Sequence, residues 1–231
     1  MISPAPKSLS HITDWVFDLD NTLYPRECNL FAQIDIRITQ YVMDVTRLDL
    51  DAARTLQKQY YRDFGTTLNG LMNRHAIDPD HFLNTVHAID YSPVDPHPDL
   101  IDAIKALPGR KFILTNGDVG HAHSVLSRLG NTELFEDVYD IRAMTFVPKP
   151  RREAYDGFLN RHDIDPSRAV MFDDLEKNLV VPHEIGMSTV QVVPGQGYAH
   201  DQIEAWELDR AEGPHVHHVT GNLAGFLTRL P

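Results

Sequence analysis

Short apolar runs alternate along this chain with segments of helical periodicity. Trp15-Val16-Phe17 is the first run, and its continuity suits a strand buried on both faces of a parallel sheet. Lys111-Phe112-Ile113-Leu114, Ala169-Val170-Met171-Phe172 and residues 188–193 read the same way, and Val138-Tyr139-Asp140-Ile141 reads as a shorter strand. Between them the spacing predicts helices over 99–107, 121–129, 152–162 and 175–185, with Gly130 and Gly186 as stops. The alternating His-Val pattern at 215–219 reads as a late strand before a helix over 223–230. Strand–helix alternation of this kind predicts an α/β fold with a Rossmann-like parallel sheet.

One block breaks the alternation. From 30 to about 88 the apolar positions keep helical spacing without strand-like runs, as in Phe31, Ile34, Ile38, Tyr41, Val42 and Val45. A second helix follows through Ala52, Ala53, Leu56 and Tyr60, entered from Asp49 or Asp51 as N-cap. Gly65 ends it, 68–74 resume the pattern, and Pro79 opens another helix at a first-turn position. Pro93, Pro96 and Pro98 mark a linker. The expected organisation is therefore a core of residues 1–23 and 96–231, with a helical-bundle cap of residues 24–95 inserted after the first strand.

Bulk properties narrow the function classes. The 231 residues are 42% hydrophobic and 23% charged, ordinary for a globular protein. A net charge of −12 argues against a surface for nucleic-acid polymers, which need clustered Lys and Arg. The single cysteine, Cys28, excludes an internal disulfide and a Cys-based zinc site. Residues 1–10 carry Pro4 and Pro6 without an apolar run, unlike a signal peptide, and no stretch approaches the ~20 apolar residues of a membrane span. The expectation is a cytoplasmic protein with no membrane partner, a monomer or homodimer.

Chemistry collects where the strands end. Asp18 and Asp20 follow the first run, two apart on one face of the extended chain. At the carboxyl end of a buried strand they face the crevice where open α/β sheets bind ligands. Two neighbouring carboxylates favour a cation between them, and Mg²⁺ accepts one or two carboxylates plus substrate phosphate. Taken alone, the pair also reads as an acidic turn capping a helix. Thr115-Asn116 end the second strand with groups that bond phosphate oxygens, Lys149 adds a cation between two prolines, and Asp173-Asp174 add carboxylates. Four such sites in chain order, each after an apolar run, favour a joint function.

Asp18-Leu19-Asp20-Asn21-Thr22, Thr115-Asn116-Gly117, Lys149 and Asp173-Asp174 with Asn178 resemble, in order, the four motifs of the haloacid dehalogenase (HAD) superfamily. Asn21-Thr22-Leu23-Tyr24-Pro25 and residues 60–71 further resemble pyrimidine 5′-nucleotidase-like phosphatases. The resemblance implies that Asp18 attacks phosphorus and forms an aspartyl-phosphate. It implies Asp20 as general acid, then base. Asp18, the carbonyl of Asp20 and Asp174 would hold Mg²⁺, with Asp173 bound directly or one layer out. Thr115, Asn116 and Lys149 would hold the phosphoryl oxygens, and Asn178 would orient Lys149.

The implied activity is Mg²⁺-dependent hydrolysis of a small phosphorylated metabolite, such as a pyrimidine nucleoside 5′-monophosphate. A sugar-phosphate phosphatase, a phosphomutase and a catalytically silent binding relative are the alternatives. Asp20 favours an oxygen ester, because superfamily dehalogenases typically lack that second aspartate. A receiver-like signalling domain shares the residue types, but there the acidic pair comes early and the lysine last.

In the cap, Tyr24, Tyr60, Tyr61, Arg62 and Asn69 offer rings and polar groups to a base or sugar, with Gly70 read as a turn approaching the site. The bland reading of Tyr60 is cap core. Lys58 reads as a solvated lysine rather than a Schiff-base former. His121 and His123 do not share a helix face, and His215, His217 and His218 read as solvent-facing strand positions rather than metal ligands. The stretch 195–213, with Trp206, reads only as a connector.

Overall fold

A computed structural model describes residues 8–194 and 213–230. By packing, the chain divides into two units, Met1–Glu27 with Val94–Pro231, and Cys28–Pro93. The 195–212 part of the connector read from sequence, Trp206 included, lies outside the described residues.

The first unit is built on a parallel sheet. Its strands are β1 (Asp14–Phe17), β2 (Arg110–Leu114), β3 (Asp137–Tyr139), β4 (Ala169–Asp173), β5 (Ser188–Val192) and β6 (His218–Thr220). The spatial order is β3-β2-β1-β4-β5-β6, and every neighbouring pair is parallel. That is the doubly wound order, in which the chain leaves β1 first to one side and later to the other. The order reverses at β1, so a crevice opens beyond its carboxyl end.

Every residue of β1 is buried, as the uninterrupted apolar run requires. Phe17 and Phe172 sit at the same register on β1 and β4 and stack with centroids 4.6 Å apart. Burying a ring of this size stabilises the fold by about 2–3 kcal/mol. Connecting helices α5 (Pro98–Ala106), α6 (Val119–Leu129), α7 (Arg152–His162), α8 (Lys177–Glu184) and α9 (Leu223–Leu227) complete the unit. Phe158 of α7 packs on Phe112 and Tyr139, whereas Phe226 of α9 packs on Phe172. At the lower end of β1, Arg110 bonds Asp14 at 2.7 Å, and Trp15 donates its ring N–H to the Pro108 carbonyl.

The second unit holds α1 (Leu30–Thr46), α2 (Leu50–Phe64), α3 (Thr67–His75) and α4 (Pro79–Val86). Asp49, Thr66 and Asp78 cap α2, α3 and α4 through their side chains, and Gly65 closes α2 at φ 84°. Gly70 departs from the sequence reading. It lies inside α3, not in a turn, and a Cβ there would stand 2.3 Å from Tyr60 Cγ. The missing side chain lets α3 close on Tyr60, which is buried and bonds His75 at 2.8 Å.

The late strand is shorter than the His-Val pattern suggests. It begins only at His218, and His215 and His217 before it are half-buried and hydrogen-bonded within the core unit. His217 Nδ1 accepts from the Thr189 amide at 3.1 Å, and His215 pairs with Glu176. No helix among the described residues is long and apolar enough to cross a membrane.

Candidate active site

β1 delivers Asp18 to the crevice by register alone. Its amide donates to the Phe172 carbonyl at 2.8 Å, so the residue continues the β1–β4 ladder by one step. That step sets it beside Asp173, the last residue of β4. The chain then turns tightly, with Thr22 and Leu23 amides both bonded to the Leu19 carbonyl. Asn21 takes φ 58°, a left-handed value that Asn tolerates, and its amide reaches Asp174 at 3.4 Å.

Lys149 stands between two of the carboxylates. Its ammonium lies 2.8 Å from Asp18 Oδ1 and 2.7 Å from Asp173 Oδ2, and all three residues are buried. Asn116 holds the lysine from behind, accepting its backbone N–H at 2.9 Å and donating to its carbonyl at 3.2 Å. Thr115 is buried beside them and its hydroxyl accepts from the Gly117 amide at 3.0 Å.

The far side is closed by Asp173 and Asp174. Asp173 Oδ1 accepts from Asn178 Nδ2 at 2.9 Å and from the Leu175 amide at 3.0 Å. Asn178 therefore orients Asp173, and through it Lys149, the residue the sequence reading has it orient. Tyr155 fixes the Asn178 carbonyl at 2.7 Å. Asp174 Oδ2 takes Arg26 at 2.6 Å, a pair whose side chains are 4% and 5% exposed.

These contacts set the charges. Burial pushes the Asp18 carboxyl well up, with Lys149 opposing and Asp173 and Asp174 reinforcing the rise. Asp174 is pushed up to about 7 by burial and by Asp173, against Arg26 and Lys149. Lys149 loses to burial but gains more from Asp173 and Asp18, and its pKa rises, so it stays protonated.

Three buried carboxylates, Asp18, Asp173 and Asp174, offer oxygens within 4.8 Å of one another. Among the described residues this is the group of three or more acidic, His or Cys side chains so placed. An all-oxygen donor set suits a hard cation such as Mg²⁺. Burial and mutual repulsion raise the Asp18 and Asp174 carboxyls, and a cation bound between them would favour their charged forms.

Asp20 faces a separate pair of donors. Tyr24 hydroxyl donates to its Oδ1 at 2.5 Å, and His121 Nε2 lies 2.7 Å from the same oxygen. Tyr24 is 1% exposed. Burial and the Asp20 charge push its phenol well up, so it remains a donor. Its hydroxyl is thus committed to Asp20, where the sequence reading offered Tyr24 to substrate.

Sequence reasoning missed His121 and Arg26. His121 is the third residue of a helix capped by Asp118, whose side chain accepts the His121 amide at 2.7 Å. Helical side chains lean toward the N-terminus, so position 121 reaches back to the strand ends. The four other residues proposed from the cap fall in the second unit, where Tyr60 is buried as cap core. Tyr61 is half-buried, Arg62 is exposed, and Asn69 donates to the Phe64 carbonyl at 3.3 Å.

A family model described as haloacid dehalogenase-like hydrolase matches residues 16–179. The chain belongs to this family of hydrolases. The match spans Asp18, Thr115, Lys149, Asp173, Asp174 and Asn178. Among solved structures, this HAD-like hydrolase is similar to an L-2-haloacid dehalogenase from Xanthobacter autotrophicus with chloropropionic acid covalently bound. The identity is 18%, the alignment covers 94% of this chain and 97% of that one, and the TM-score is 0.57. A magnesium-bound putative HAD hydrolase, YfnB from Bacillus subtilis, matches at 15% identity over 95% and 98% of the two chains, with TM-score 0.56. A HAD phosphatase from Thermococcus onnurineus matches at 14% identity over 94% and 97%, with TM-score 0.58. At these identities the likeness is one of fold.

Proposed function

We propose that this HAD-like hydrolase is a Mg²⁺-dependent phosphatase of small phosphomonoesters. The observation that carries the reading is Asp20, two residues beyond Asp18 and held at Oδ1 by Tyr24 and His121. An alkoxide leaving group needs a proton, and a carboxyl beside the nucleophile supplies one. The Xanthobacter neighbour is named a dehalogenase. Halide leaves without a proton, so Asp20 has no task in that reaction.

Asp18 attacks phosphorus, and an Asp18–phosphorus bond forms as the ester P–O bond breaks. Asp20 gives its proton to the departing oxygen. Water then attacks the same phosphorus, yields a proton to Asp20, and inorganic phosphate leaves Asp18. Lys149 and Thr115 face the phosphoryl oxygens as charge spreads onto them. Asn116, read from sequence as a third such contact, has both ends of its side chain on the Lys149 backbone and holds that lysine in place. Mg²⁺ when bound would neutralise charge on the phosphoryl group. Asp18, the Asp20 carbonyl and Asp174 are suited to hold it. Asp173 has both oxygens engaged, by Lys149 and by Asn178 with Leu175, which supports Asp174 as the bound carboxylate of the pair.

The helical unit Cys28–Pro93 enters the chain directly after the β1 loop. We read it as a cap that selects substrate, with Tyr61, Arg62 and Asn69 as its candidate contacts. Pyrimidine nucleoside 5′-monophosphates are the proposed class, on the resemblance of residues 21–25 and 60–71. The test is a phosphate-release screen of nucleoside monophosphates, sugar phosphates and small esters, with halide release from 2-haloacids alongside, in Mg²⁺ and in chelator. Preference for UMP or CMP supports the class. Halide release without phosphate release defeats the reading.

A further inference from the structure

Two buried donors from different parts of the core converge on one oxygen. Tyr24 comes from the loop after β1, and His121 from the first turn of α6. Both meet Asp20 at Oδ1, at 2.5 and 2.7 Å. Each donor is 1% exposed, whereas the Asp20 side chain keeps 20% exposure. Hydrogen bonds to a charged acceptor are short and strong, and buried ones are rigid.

The other oxygen lies toward the phosphate-binding turn. A Cβ placed on Gly117 would stand 3.7 Å from Asp20 Oδ2, 3.3 Å from Thr115 Oγ1 and 3.2 Å from the His121 ring. Gly117 thus lets three groups crowd one small volume, where the Thr115 turn, Asp20 and His121 meet. Rotation of the Asp20 carboxyl would break both bonds to Oδ1 at once.

We propose that His121 and Tyr24 are positioning residues for Asp20, clamping its carboxyl by Oδ1 so that Oδ2 exchanges the proton with the ester oxygen. His121 does not touch substrate in this account. It acts through Asp20, and its role is lost with the aim of that carboxyl. A misaimed acid costs orders of magnitude in rate even when it is present. The inference rests on the phosphatase reading and names two residues that serve its acid.

The dependence on leaving group separates this from a merely structural role. p-Nitrophenolate departs without a proton, whereas a nucleoside or glycerol alkoxide does not. Measured kcat/KM reports the step that expels the leaving group, ahead of hydrolysis on Asp18. Tyr24→Phe removes one hydroxyl from a site that is otherwise filled. His121→Leu removes the second donor, and His121→Gln restores a donor near the position of Nε2.

For Tyr24→Phe and His121→Leu the expected fall is ~10-fold or more on glycerol phosphate and UMP, but less than ~3-fold on p-nitrophenyl phosphate. His121→Gln should recover part of the alkyl-ester loss. Equal falls on both classes of ester, or no fall in Tyr24→Phe, overturn the inference while leaving the phosphatase reading intact. Wild-type protein inert to every ester overturns both. Should His121→Leu fail to fold, the Tyr24→Phe and His121→Gln arms decide the matter.

Discussion

Arg26 and Asp174 form an ion pair at 2.6 Å with both side chains nearly closed to solvent. The arginine sits in a short 3-10 turn just after the β1 loop, so one buried cation ties the start of the site to the end of β4. Removing one partner of such a pair leaves an uncompensated buried charge, typically costing about 3–5 kcal/mol. Arg26→Met should therefore lower the urea midpoint strongly in chelator. The loss should be smaller at pH 6 than at pH 8, because protonation of Asp174 relieves it. An unchanged midpoint at pH 8 would show that the pair contributes little.

Lys149 is the second internal cation, and its two partners are Asp18 and Asp173. Lys149→Met should leave Asp18 protonated more of the time and the proposed phosphoryl site without a fixed positive charge. The expected fall in kcat/KM is ~10²-fold or more on any phosphate ester, p-nitrophenyl phosphate included. Here the two classes of ester should fall together, unlike the Tyr24 and His121 variants. A mutant retaining most of its activity would remove Lys149 from the chemistry.

The acidic cluster also fixes a pH response. Asp174 rises to about 7 in the fold from an ordinary 3.8, and Asp18 moves the same way. Between those values the folded protein holds protons that the unfolded chain has released, so stability falls as pH rises from about 4 to about 7. His121 adds to the same trend: burial works against its charge, but Asp20 and Asp118 outweigh it and raise its pKa, so its stabilisation fades as pH climbs past that raised value. Cation binding competes with the protons of the carboxylates. Differential scanning calorimetry should show a larger Mg²⁺-induced rise in Tm at pH 8 than at pH 6. Equal rises at the two values would contradict a cation held by Asp18 and Asp174.

Gly70 gives a test confined to the helical unit. Its missing Cβ leaves room for the Tyr60 ring, which a methyl group would meet at 2.3 Å. Gly70→Ala gains helix propensity worth about 1 kcal/mol, but overpacking costs about 1–3 kcal/mol. The net expectation is a lower thermal midpoint, and a higher one would mean that α3 moves off Tyr60 without penalty.

The strands were readable because β1 and β4 are buried on both faces and so carry unbroken apolar runs. Asp18, Thr115 and Asp173 were readable because parallel strands deliver their ends to one edge, whereas Lys149, in the loop between β3 and α7, was readable as a cation set between two prolines. Helix limits were clear where chain chemistry is local, as at Asp49, Gly65 and Gly130. Arg26 was not legible, since its partner lies 148 residues away and nothing local separates it from a surface arginine. His121 was weighed only as a metal ligand paired with His123. The useful signal was its place at the third residue of a helix that follows Thr115-Asn116-Gly117. Gly70 misled because glycine inside a helix is uncommon, and its cause is the shape of a neighbouring tyrosine.

The central claim is that Asp18 carries the phosphoryl group during turnover. The direct measurement is acid-quenched peptide mass spectrometry of the Asp20→Asn variant after mixing with p-nitrophenyl phosphate and Mg²⁺. This ester needs no acid to depart, and loss of the base slows release of phosphate from the enzyme. The account predicts one phosphoryl group on the peptide containing Asp18, absent in chelator and absent when Asp18→Asn is added. Phosphate release continuing undiminished in Asp18→Asn, with no phosphorylated peptide at any time point, would contradict it.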